Sequence, residues 1–325
     1  MELLTAEDGR GLGVSRAQLD TAVRRGELVR RRRSVYAESR DLVDLDPAAQ
    51  HFSDVAAELR TRPGWLAARR SAALLHQLPI IGRDAPENPQ LLGPSGDSKT
   101  RPEHRHHQIN RVPDDQRTIV DGIPCSSLAR TAVDLARNES FRNGVCALDG
   151  ALGAGVPPEQ ILAVLQGMHR WPGVARARTA LRFADGRAES LLESLSRVSV
   201  FELGLPTPEP QLEVWLGRQF IARVDFGWEE LRTVGESDGL AKFGDDPTAR
   251  EESFAQLRER QAWLEDVGFV VVRWGWDDAW RPKGVLDERL RRGFARAEGR
   301  SLDPRVRLVR TSLADRLARA SRHPA

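Results

Sequence analysis

Asp225, Glu236, Asp238 and Lys242 are the residues of this chain whose types and spacing can do chemistry together. Hard divalent cations such as Mg²⁺ take oxygen ligands, and grouped carboxylates supply them. An ion held this way lowers the pKa of a bound water and offsets charge on a phosphoryl group, while a nearby ammonium can polarise that water or steady a phosphate. Residues of β type on either side of a polar corner at 227–230 predict a hairpin, with Asp225 near the end of one strand and Glu236 inside the next. Asp238 and Lys242 follow at a Gly-marked turn, close enough in sequence to fold back over the same spot. Of 49 Lys and Arg residues only Lys99, Lys242 and Lys283 are lysines. Arginine cannot be deprotonated and its planar fork replaces a compact ammonium poorly, which is a chemical reason for a lysine at 242.

Carboxylates on a hairpin need a scaffold to hold them. Residues 187–203 read as a helix with Leu191, Leu192, Leu195, Val198 and Leu203 on its apolar side, stopped by Gly204-Leu-Pro-Thr-Pro. Residues 212–216, 220–226 and 231–237 read as a three-stranded meander. Asp246-Pro247 begins a helix over 248–267, with Phe254, Leu257, Leu264 and Val267 at core spacing, and 269–274 is a buried strand. The expected order is helix, three strands, helix, strand.

That order, with acids on the second and third strands, resembles the PD-(D/E)xK nuclease superfamily, and within it relatives of the very-short-patch-repair (Vsr) endonuclease. The resemblance rests on Glu193-Ser194 and Arg197, Val224-Asp225-Phe226, Glu236-Ser-Asp-Gly with Lys242, Arg258 and Arg260, and Gly268-Phe-Val-Val-Val-Arg-Trp. It implies that Asp225 and Glu236 bind Mg²⁺ (or Mn²⁺), that Glu193 lines the site from the helix, and that Lys242 orients the attacking water. The superfamily's lysine usually stands two residues after the glutamate, where this chain has Asp238. Lys242 reaching back, Asp238 as an extra ligand, and a site that has lost part of its chemistry all stay open.

The most basic stretch lies at the front, where eight arginines between Arg10 and Arg33 face only Asp20 and Glu27. Ser15 is a good helix N-cap, Leu19, Ala22 and Val23 share a face, and Gly26 ends that helix. Leu28, Val29, Val35 and Tyr36 read as a hairpin with arginines at its tip. The pattern resembles the winged helix-turn-helix of AbiEi-family antitoxins. The resemblance implies duplex DNA as partner, with Ser15, Arg16, Arg24 and Arg25 presented to the major groove and Arg30, Arg31, Arg32 and Arg33 near phosphates.

Between these ends, 84–113 is rich in Pro, Gly and polar residues and reads as irregular strands and loops. His104, His106 and His107 fall there without a partner cysteine or spaced carboxylates, so a hydrated loop is expected over a metal site. Ser127 caps an amphipathic helix in which Arg130 and Asp134 form an i, i+4 ion pair, and 145–152 and 158–168 continue helically. Arginines from Arg305 to Arg319 suggest a basic helix in the tail.

Hydrophobic residues at 40% with 30% charged residues fit a folded globular chain. The net charge of +2 confines any nucleic-acid surface to a local patch. Cys125 and Cys146 alone exclude a disulfide framework, and with no apolar run long enough to span a bilayer the expected location is the cytoplasm, with no membrane partner. The expected fold class is α+β multidomain: a winged helix-turn-helix over 1–80, a mixed loop and helical connector over 81–185, an α-β-β-β-α-β restriction-endonuclease-like domain over 186–295, and a basic tail over 296–325. The expected function is DNA binding coupled to Mg²⁺-dependent phosphodiester cleavage. The alternative is an antitoxin or transcriptional regulator with an inactive nuclease fold, for which a toxin would be the partner.

Overall fold

The computed structural model describes residues 3–82, 84–94, 107–109, 112–238 and 247–320. Lys242, His104 and His106 lie outside the described residues. The chain is mixed α/β, with three sheets among the described residues, and divides into two compact units: 1–139 with 156–177, and 140–155 with 178–325. Among the described residues no helix is long and apolar enough to cross a membrane.

The first unit opens with β1 (Leu3–Thr5), α1 (Ala6–Gly11), α2 (Arg16–Arg24), β2 (Leu28–Arg32) and β3 (Val35–Glu38). The strands form a small antiparallel sheet in the order β1-β3-β2. Ser15 caps α2 in a reciprocal box: its hydroxyl accepts from the Gln18 amide at 3.3 Å, and Gln18 Oε1 accepts from the Ser15 amide at 2.7 Å. α3 (Pro47–Arg60), capped by Asp46, serves two cores. Ala57 packs with Leu3, Val35 and Ala37 of the small sheet, whereas Val55 packs with Trp65, Leu75, Leu91 and Cys125.

The second core belongs to a five-stranded sheet. β4 (Leu66–Ala67) and α4 (Arg69–Leu75) are followed by β5 (Leu91–Pro94), β6 (His107–Ile109), β7 (Arg117–Val120) and β8 (Ile123–Ser126), with sheet order β6-β5-β4-β8-β7. α5 (Leu128–Asn138), capped by Ser127, packs on α4. The stretch read as a connector thus supplies four of this sheet's five strands.

α6 (Phe141–Gly153) belongs to the second unit, α7 (Pro158–Gly167) to the first, and α8 (Val174–Phe183) runs from one into the other. α9 (Leu191–Glu202) is buried from Leu192 to Val200, because Ser194, Ser196 and Ser199 replace larger side chains and let neighbours approach from every side. Trp274 donates its indole N–H to Ser196 at 2.8 Å, and Arg197 is ion-paired at 2.8 Å with buried Asp149 of α6. The sheet that follows contains β9 (Glu209–Leu216), β10 (Gln219–Trp228) and β11 (Thr233–Ser237); then come α10 (Pro247–Asp266) and β12 (Val270–Trp274). α11 (Trp276–Trp280), α12 (Val285–Ala297), β13 (Val306–Arg310) and α13 (Leu313–Ala320) complete the chain.

The sheet order is β12-β11-β10-β9-β13, antiparallel except for the parallel pair β11 and β12. Leu264, Val267 and Phe269 cover it through Leu212, Val224 and Val234. The tail is part strand and part helix: Val306–Arg310 is an edge strand paired with β9, and the expected helix is confined to Leu313–Ala320, which carries Arg316 and Arg319. Both cysteines are free and buried.

Candidate functional site

Strand register sets out the site. The last paired residues of β10 and β11 are Phe226 and Gly235, so one further step brings Asp225 opposite Glu236. Glu236 pairs in turn with Arg273 of β12. On the other side, Gln211 of β9 falls across from Asp225, between the pairs Phe226 with Pro210 and Val224 with Leu212. Gln211, Asp225, Glu236 and Arg273 therefore form a row across four strands. Like charges directly across a ladder repel, so something must hold the two acids there.

Their partners are specific. Asp225 Oδ2 accepts from both the amide and the hydroxyl of Ser237, each at 2.8 Å. Glu236, only 2% exposed, accepts from Arg260 of α10 at 2.7 Å through Oε2, while its Oε1 is buried without a hydrogen-bond partner. Glu193 reaches the row from α9: its Oε2 accepts from the Glu189 amide at 2.8 Å and from the Gln211 side-chain amide at 2.9 Å. Burial, and after it the charge of Asp225, pushes both Glu193 and Glu236 up to about 7. Arg260 and Arg273 oppose that rise at Glu236.

Asp238, the residue read as a possible extra ligand, is engaged by Arg273 of β12. Its two oxygens accept from Arg273 in a fork at 2.7 and 2.6 Å, so in this arrangement it orients a guanidinium. Arg197 anchors α9 to α6 and lines no acid of the row.

Gln211 is a part of the row that the sequence does not announce. It is buried, sits inside a strand at φ 54°, and ties β9 to the Glu193 carboxylate. A non-glycine residue held in that conformation costs on the order of 1–3 kcal/mol and persists where the surroundings over-determine it. The Glu-Pro-Gln stretch gives no hint of this, since the signal is a backbone angle. Gly235 is also part of the construction: a Cβ there would lie 2.4 Å from the Trp274 ring, which stacks on Phe226 at 5.3 Å.

The donor set suits a small hard cation. Among the described residues no three His, Cys, Asp or Glu side chains converge closely enough to hold an ion. Mg²⁺, however, is commonly held by one or two carboxylates with waters and substrate phosphates. Asp225 and Glu236, with the orphaned Oε1, fit that description.

At the front of the chain, Arg16, Arg24, Arg25, Arg30 and Arg33 are exposed, as is Ser15. Arg31 and Arg32 turn inward. Arg31 pairs with Asp54 at 2.9 Å, and Arg32 with Asp54 at 3.2 Å and with buried Glu58 at 2.9 Å. Those two serve the packing of the hairpin on α3, a role that a run of four arginines conceals.

No family model matches the chain. Uncharacterized proteins MT2308 and Rv2248, from two strains of Mycobacterium tuberculosis, are 33% identical to it over 184 residues. A crystal structure of the RV2827C protein from Mycobacterium tuberculosis matches with a TM-score of 0.39 and 19% identity, covering 56% of this chain and 72% of that one. The aligned stretch covers 55% of this chain and 64% of the length of the two sequence relatives, so it spans less than two thirds of them.

Proposed function

We propose that the protein binds duplex DNA through its N-terminal unit and hydrolyses phosphodiester bonds with the help of a divalent cation at Asp225 and Glu236. In this reading 1–80 is a winged helix-turn-helix and 186–295 a PD-(D/E)xK nuclease-like domain. The observation that carries it is the row itself: like-charged acids aligned across neighbouring strands, with one oxygen of Glu236 buried and unpartnered. An arrangement so costly to the fold suits the binding of a cation. Mg²⁺ or Mn²⁺ held there would act as a Lewis acid on the phosphoryl oxygens and acidify a water. Glu193, held near neutrality by burial, can keep or release a proton beside the row. Ser237 fixes the rotamer of Asp225. Arg260, on Glu236, is placed to swing onto a phosphate. Lys242 keeps its proposed role of orienting water, although it lies outside the described residues.

Purified protein is expected to nick or cut plasmid DNA with Mg²⁺ or Mn²⁺. Asp225→Ala or Glu236→Ala should abolish cutting while leaving affinity for DNA in EDTA intact. Cleavage undiminished in both variants overturns the reading.

One observation favours the second reading, a DNA-binding regulator or antitoxin whose nuclease fold is spent. Arg260 occupies Glu236 and Ser237 occupies Asp225, so protein groups already answer part of the acids' demand. That reading expects salt-dependent binding to one DNA site and no cleavage with any metal.

A further inference from the structure

The first unit contains a polar cavity that none of the chemistry above uses. It measures about 400 Å³ and is lined by Arg69, Arg130, Arg137, Arg170, Asp134 and Trp171 among others. Four guanidinium groups thus face one carboxylate. That carboxylate is already committed, since Asp134 accepts from Arg130 at 2.7 Å through one oxygen and from Arg137 at 3.0 Å through the other. The cavity is therefore strongly cationic.

Its arginines are built in. Arg130 is 2% exposed and Arg137 7%. Arg130 is fixed further by Gln116 at 2.9 Å, and Arg137 by the Pro172 carbonyl at 2.6 Å. Both guanidinium groups lie over the Trp171 ring, at 5.4 and 5.0 Å from its centroid. Arg130 Nη2 and Arg137 Nε are buried with no hydrogen-bond acceptor. Burying charged donors without acceptors is costly, and the field of an anion in the cavity would offset part of that cost.

The chain spends backbone strain to build this wall. Arg69 and Arg170 both sit at positive φ, 50° and 58°. Gly173 at φ 81° passes so close to α5 that a Cβ would stand 2.0 Å from the Arg137 carbonyl, and this close approach seats Trp171 and Pro172 over the helix. Arg69 is steadied by Asn138 at 2.8 Å. Arg170 is exposed, and among the described residues it has no hydrogen-bond or ion-pair partner.

We infer that this cavity binds a phosphate monoester carried on a small apolar or planar body, the chemistry of a nucleoside monophosphate. Several guanidinium forks match the oxygens of a dianion, whereas a carboxylate needs only one or two of them. The volume falls in the range of about 300–1,000 Å³ typical of small-molecule pockets, which a bare oxyanion would not fill. Ala68, Leu92 and Pro172 supply apolar wall for the rest of the ligand. A free mononucleotide and the 5′ end of a nucleic-acid strand share this chemistry.

The test is calorimetric titration of the full chain in EDTA, which removes any contribution from the carboxylate row. The probes are dAMP, deoxyadenosine, and one short oligonucleotide with either a 5′-phosphate or a 5′-hydroxyl. Saturable dAMP binding is expected, with deoxyadenosine at least about tenfold weaker. Arg170→Gln, at the exposed rim, should weaken dAMP about tenfold while leaving the melting temperature unchanged, and Arg69→Gln should weaken dAMP similarly. A 5′-phosphate advantage for the oligonucleotide that Arg170→Gln removes assigns the site to strand ends. An advantage seen with dAMP alone assigns it to the free nucleotide. Equal binding of deoxyadenosine and dAMP, affinities unchanged in both variants, or no saturable binding of either phosphorylated probe overturns the inference.

Discussion

Glu193 and Glu236 are carboxylic acids that hold their protons well above the usual carboxylate range, and that fixes the sign of their effect on stability. Both bind a proton more tightly folded than unfolded. Their contribution is fully present below about pH 4.5 and is lost as pH rises through about 7. A cation at the row competes with those protons. Mg²⁺ should therefore raise the melting temperature more at pH 8 than at pH 6, which differential scanning fluorimetry at the two pH values measures. An equal shift at both would separate the ion from these acids. Gln211→Ala should cost activity more than stability, because it cuts the tie to Glu193 while leaving the strand's pairing in place. The acids themselves were legible in the sequence, since hairpin spacing put Asp225 beside Glu236. Gln211 was not, because no residue pattern announces a left-handed angle inside a strand.

Elements that position the row depend on a few close approaches. Gly235→Ala would push a methyl group into Trp274 and should destabilise the second unit by about 1–3 kcal/mol, read from urea denaturation. The N-terminal hairpin makes a contrasting case. Arg32→Ala leaves buried Glu58 with one arginine, Arg62, instead of two, and should cost about 1.5–3 kcal/mol of stability. Arg30 and Arg33 are exposed, so the double change to Ala should leave stability alone and weaken DNA binding. It should also flatten the slope of log affinity against log salt by roughly one for each phosphate that is no longer neutralised. Unchanged affinity would remove the hairpin from the DNA surface. Sequence periodicity found α10 and β10 to β12 within about two residues of their observed limits, whereas α9 begins at Leu191, later than the 187 read from the sequence, and β9 at Glu209, earlier than 212. The five-stranded sheet of the first unit was not found: its strands run only two to four residues, too short for alternation to register.

Across the whole molecule, the two units carry groups that titrate with opposite sign between pH 5 and 8. In the first, burial holds His51 and His76 below the ordinary histidine value, so their contribution is present above about pH 6.5 and is lost as pH falls. In the second, Asp149 is pushed up to about 6 by burial and joins Glu193 and Glu236 in losing stability as pH rises. Hydrogen exchange, corrected for intrinsic rates, should show 1–139 loosening first toward pH 5 and 178–320 loosening first toward pH 8. A common pH dependence would contradict the separation of the two cores. The central claim is that Asp225 and Glu236 share a divalent cation, and titration calorimetry with Mn²⁺ at pH 8 tests it most directly. The wild-type chain should take up the ion saturably, and Asp225→Asn and Glu236→Gln should each abolish that uptake. A wild-type chain that binds no ion, or variants that bind it as the wild type does, would contradict the account.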